Sequence, residues 1–125
     1  MSPKVRFITG AFALLTAVGT GAFGAHGLKA YVDASALQIW ETAVLYQLVH
    51  GLGLLGLALA GTLVCERALS WASMCLTAGI LIFSGSLYIL VLTGTHWLGA
   101  ITPIGGLAFM AGWAIAIVGA LRRAS

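Results

Sequence analysis

Phe7 to about Ala25 is a run of apolar and small residues without a single charge, preceded by Lys4 and Arg6. On a helix such a run covers the ~30 Å hydrocarbon core of a bilayer, because about 20 residues at 1.5 Å each suffice. Three more segments of the same kind follow, at about 42–64, 69–93 and 102–121, and the first is best drawn as about 5–27. With 61% hydrophobic residues, 7% charged residues and a mean hydropathy of +1.07, the chain falls outside the range of soluble domains. The expected fold class is therefore all-α: one integral domain, a four-helix transmembrane bundle, with a short interfacial helix in the Leu28–Ile39 stretch between spans 1 and 2. A signal-peptide reading of the first segment is set aside because its apolar run exceeds the usual length of such signals.

Charge gives the orientation. The chain carries six basic and three acidic side chains, for a net charge of +3. Lys4, Arg6, Arg67, Arg122 and Arg123 fall on one side of a four-span topology, and Lys29 alone on the other. The excess of Lys and Arg in short loops marks the cytoplasmic side, so both termini are expected in the cytoplasm of a cell with this protein in its inner (plasma) membrane. No basic stripe exists for nucleic acid. Cys65 and Cys75 are too few for a metal site, and no cofactor is implied.

Small residues mark the packing faces. Gly10, Ala13, Ala17, Gly21 and Gly24 line one side of the first segment, and Gly105, Ala108, Gly112, Ala116 and Gly119 one side of the fourth. Such tracks let membrane helices approach closely. Thr102-Pro103 reads as an N-cap followed by proline at the first helical position, Glu41 as a cap for the second span, and Trp40 with Tyr31 as interfacial anchors.

The second segment carries the polar side chains. At about 100° per residue, Tyr46, His50, Ala43 and Gln47 fall within an arc of roughly 100°. Polar groups at such depth face protein or a cavity, since leaving them unpaired in hydrocarbon costs several kcal/mol. With span 2 starting near Thr42, His50 is expected roughly 10 Å below the outer surface. His26, Ser84, Tyr88 and Thr102 belong to the same outer half and complete a candidate polar cluster with Tyr46, Gln47 and His50. If the first helix is regular, however, His26 turns away from the small-residue track. Ser84 and Tyr88 share a face with Ser86 opposite, and serines in such helices usually bond back to their own carbonyls. His50 is either a neutral imidazole that fixes packing or part of a ligand or proton site. His26 and His50 differ too much in depth for ready haem ligation.

Four stretches carry a resemblance. Gly21-Ala22-Phe23-Gly24-Ala25-His26-Gly27-Leu28, Trp40 to Gln47 with His50, Phe83-Ser84-Gly85-Ser86-Leu87-Tyr88 and Leu98 to Gly106 resemble, in order, the YgdD-like family of small membrane proteins. The resemblance implies a four-helix membrane fold and bacterial inner-membrane residence, and it supplies no activity.

No serine–histidine–acid set or soluble pocket suggests an enzyme. The favoured expectation is action by binding. The protein is then an accessory or assembly partner of a larger membrane complex, or it binds a lipid or quinone-like ligand at the outer leaflet. The lipid bilayer is its surroundings, and self-association remains open. The rival is a small oligomeric channel or transporter with one path lined by His50, Gln47 and Tyr46.

Overall fold

A computed structural model describes residues 1–124, all of them helical or in short connections. Helix α1 (Pro3–His26) starts where Ser2 Oγ accepts from Val5 N at 3.2 Å and Pro3 occupies the first turn. A single 3-10 turn (Leu28–Ala30) leads to α2 (Ala34–Leu59), capped by Asp33, whose Oδ1 accepts from Ala36 N at 2.8 Å. The third span comprises α3 (Glu66–Gly79), a π-helical segment (Ile80–Ser84) and α4 (Gly85–Thr93) without a break. It ends at Gly94, whose φ of +70° is the left-handed conformation that glycine reaches without strain. A 3-10 turn (His96–Ala100) then enters α5 (Thr102–Arg122).

Four helical segments are long and apolar enough to cross a membrane, and none of the described residues forms a strand. The span count agrees with the sequence reading, but several details differ. The stretch read as an interfacial helix divides into the 3-10 turn and the opening of α2, because the Asp33 cap starts the helix about eight residues before the expected position. Glu41 is accordingly not a cap but an exposed residue in the second turn of α2. Thr102 is not an N-cap either: it is the first helical residue, and its hydroxyl is used elsewhere.

Helix α2 and the third span form the central pair, with 39% and 44% of their apolar windows buried against 22% for each flanking span. Helix α1 leans on α2 through its small-residue track, and α5 leans on the third span through its own. Gly105 faces the backbone of Phe83 itself, inside the π segment. Leu54, Leu57, Leu69, Ala72, Leu76 and Phe109 fill the core at one end, and Leu28, Trp40, Leu90 and Val91 fill it at the other. Trp40 is thus no interfacial anchor. It is 3% exposed, lies on Gly24 and donates its indole N–H to the Thr20 carbonyl at 2.8 Å.

Both chain ends lie at one end of the bundle. The Met1 ammonium donates to Ser70 Oγ at 2.6 Å, and Gly119 packs on Val64 and Ala68. Arg6, read from sequence only as a topology marker, is fully buried there and ion-paired with Glu66 across α1 and α3.

Candidate functional site

On α2, Ala43 sits at the middle of the polar arc, with Gln47 toward one edge and His50 and Tyr46 toward the other, so the arc serves two sides of the helix. Ser84 Oγ donates to the Ala43 carbonyl at 2.7 Å, which pins the third span to the centre of the arc. This hydroxyl crosses to the neighbouring helix, contrary to the expected bond to its own. Ser86, on the opposite face, bonds back to the Phe83 carbonyl at 3.0 Å and also pairs with Thr102 Oγ1 at 2.6 Å, tying the third span to α5.

The Gln47 side is closed in hydrogen-bond terms. Gln47 Nε2 donates to the Ala13 carbonyl at 2.9 Å and to Thr16 Oγ1 at 2.7 Å, and its Oε1 accepts from the Tyr88 hydroxyl at 2.7 Å. The carbonyl of Ala13 can only accept, which fixes the amide orientation. Tyr88 gives its one proton to Gln47, and the Thr20 hydroxyl lies 3.1 Å from both the Tyr88 oxygen and the Ala17 carbonyl, with one proton to share between them. A crevice of about 230 Å³ lies beside this network, between α1 and the third span.

The His50 side differs. His50 is 5% exposed and stacks on Phe109, with ring centroids 3.5 Å apart and planes 8° from parallel. Tyr46 lies 4.4 Å from Phe83 and 6.0 Å from Phe109, and Trp113 is 6.0 Å from His50, all between ring centroids. His50 Nδ1 lies 2.9 Å from the Tyr46 carbonyl, which can only accept, so Nδ1 carries the proton and Nε2 of the neutral ring is an acceptor. Neither Nε2 nor the Tyr46 hydroxyl has a partner among the described residues. Both residues line an open crevice of about 550 Å³ between α2 and α5, together with Phe83, Phe109, Met110 and Trp113.

Two expectations about this region need correction. Because α2 begins at Ala34, His50 lies about 24 Å along the helix from its start and about 13 Å from its end, further into the helix than a start near Thr42 implies. His26 is exposed at the end of α1 and joins neither group. Of the expected cluster, the structure joins Gln47 to Tyr88, Ser84 to α2 and Thr102 to Ser86, and it puts Tyr46 with His50 on another side. The single His/Gln/Tyr path imagined for a channel is split between two crevices. Gly21, Gly24, Gly105 and Gly112 do lie at helix contacts within the chain.

Sequence reasoning missed Thr16, Thr20, Phe109 and Trp113. The first two left a signal, since hydroxyls one turn apart border the small-residue track of α1. The aromatic pair left none, because rings on a span more often face lipid. Among the described residues no group of three or more His, Cys, Asp or Glu side chains could hold a metal ion.

Residues 20–106, which contain most of these contacts, match the family described as "Protein of unknown function (DUF423)". The UPF0382 membrane protein YwdK of Bacillus subtilis is 48% identical over 120 residues, covering 95% of this chain and 98% of that protein. A UPF0382 membrane protein of Staphylococcus saprophyticus shares the same identity and coverage. Another, from Staphylococcus epidermidis, is 49% identical over 122 residues, covering 97% of this chain and 98% of that protein. No solved structure matches the chain. From end to end of these relatives the similarity is continuous, and the chain belongs to the UPF0382 (DUF423) family of membrane proteins.

Proposed function

We propose that this membrane protein acts by binding, and that its ligand is a ring-headed, quinone-like lipid seated in the crevice between α2 and α5. The carrying observation is His50 Nε2, an acceptor without a partner on a buried imidazole ring that lines a crevice with aromatic walls. An unsatisfied acceptor in hydrocarbon is costly, and a ligand hydroxyl would recover that free energy. The free Tyr46 hydroxyl offers a donor to a ligand carbonyl on the same crevice. A volume of about 550 Å³ suits a small headgroup, and planar walls favour a planar ring. The position of His50, about four turns into α2, favours a ligand that reaches in from the acyl core over an outer-leaflet headgroup lipid.

The assembly-partner form has weaker support. Its motive was the small-residue tracks, and these are used in contacts within the chain, Gly10 on Gly51 and Leu54 and Gly112 on Leu76 and Ala72. We also propose the inner (plasma) membrane as location, with both termini cytoplasmic, on the strength of the basic end of the bundle. The YgdD-like proteins belong, on this reading, to the same family.

The test is titration of the purified protein in mild detergent with decylubiquinone and with a short-chain menaquinone, read by quenching of tryptophan emission. Saturable quenching is expected with at least one of them, weakened about tenfold by His50→Phe, the equivalent of one lost hydrogen bond. Absence of saturation with both would sink the proposal.

A further inference from the structure

At the end of the bundle where α1 begins and α5 ends, positive charge is left uncompensated among the described residues. The chain has three acidic residues. Asp33 caps α2 and Glu41 is exposed in its second turn, both at the far end of the bundle, and Glu66 is engaged by Arg6. The Arg6–Glu66 pair is the one ion pair among the described residues, so Arg67 and Arg122 have no carboxylate partner among them. These two side chains meet across a second crevice of about 550 Å³, between the start of α3 and the end of α5. Its polarity is graded along the helix axes. Arg67 stands in the first turn of α3 and Arg122 is the last residue of α5, while Trp71, Val118 and Ile115 line the crevice one or two turns deeper.

We infer that this crevice binds an acidic phospholipid, with its phosphate between the Arg67 and Arg122 guanidiniums and an acyl chain along Trp71, Val118 and Ile115. The charge complementarity is specific in kind: a guanidinium presents forked N–H donors that match phosphate oxygens, and basic pockets between membrane helices attract anionic headgroups. A phosphate group alone would satisfy the rim and leave the apolar depth unused, whereas a lipid uses both. Trp71, 54% exposed, stands where the chain would pass, so the site carries its own reporter. The inference is independent of the quinone-like ligand, which concerns the crevice between α2 and α5.

The experiment reconstitutes the full chain in phosphatidylcholine nanodiscs and adds phosphatidylglycerol or phosphatidylcholine brominated in the acyl chains. The Trp71 contribution is isolated by subtracting the signal of Trp71→Phe. Brominated phosphatidylglycerol is expected to quench Trp71 at about fivefold lower mole fraction than brominated phosphatidylcholine. Arg67→Gln/Arg122→Gln should abolish that preference. Lys4→Gln/Arg123→Gln removes the same charge from the same end without touching the crevice, and it should keep most of the preference. If the first pair does not fold, Arg122→Gln alone is expected to lower the preference by about half. Equal quenching by the two lipids in the native protein would overturn the inference. So would an equal loss in the two double variants, which reports diffuse attraction only, or displacement of the brominated lipid by millimolar inorganic phosphate.

Discussion

On the flank of α2 that faces α1, Gln47 uses both its amide nitrogen and its carbonyl oxygen and draws Thr16, Tyr88 and Thr20 into one network. On the flank that faces α5, His50 uses one ring nitrogen on its own helix and leaves the other without a partner, among aromatic rings. The two side chains are three residues apart. The difference teaches that a polar residue in a membrane helix has two separate uses. Saturated across helices, it holds spans together. Left with one open position in an apolar crevice, it adds nothing to that hold and is available to a ligand.

The largest effect that sharpens this contrast is expected from Gln47→Leu. It removes three hydrogen bonds and leaves the Tyr88 hydroxyl without its acceptor, so unfolding in mixed micelles should be easier by about 2 kcal/mol, given that such bonds average about 0.6 kcal/mol each in membranes and an orphaned group adds to the loss. Tyr88→Phe removes only the arm that reaches Gln47 and Thr20, and it should cost about 1 kcal/mol in the same titration. The smallest effect on stability is expected from His50→Phe, within about 0.5 kcal/mol of zero. The ring stack on Phe109 is kept, and the bond lost goes to a carbonyl within the same helix. A His50→Phe penalty larger than that of Gln47→Leu would break the comparison, since His50 would then be the side chain that holds the bundle.

Much of the fold was legible in the chain because lipid imposes simple demands. Segments of sufficient length without charge must be helices, since backbone groups have no other partner in hydrocarbon. The small-residue faces of α1 and α5 were legible for a related reason: close packing needs small side chains, and Gly10 on α2 and Gly112 on α3 leave no room even for a Cβ, which would come within 2.8 Å of Gly51 and Leu76. Helix starts were less so. Asp33 looked like one polar residue in an interfacial stretch, yet its side chain begins α2 eight residues early and puts His50 well inside the helix. The π segment left no signal in the sequence, although it is there that Phe83 meets Gly105 and between its end and α4 that Ser84 and Ser86 turn to opposite neighbours.

The sequence by itself determined four membrane-spanning helices, their close-packing faces and the membership of Gln47 and His50 in one polar arc, because composition and a 3.6-residue period are local properties. Only the tertiary structure decided that the arc is shared between two neighbours, with α1 and Tyr88 satisfying Gln47 while Phe109 covers His50 and leaves Nε2 open. Which partner an edge residue meets depends on where helices from distant parts of the chain come to lie. That position is set by packing across spans and by no single stretch of residues.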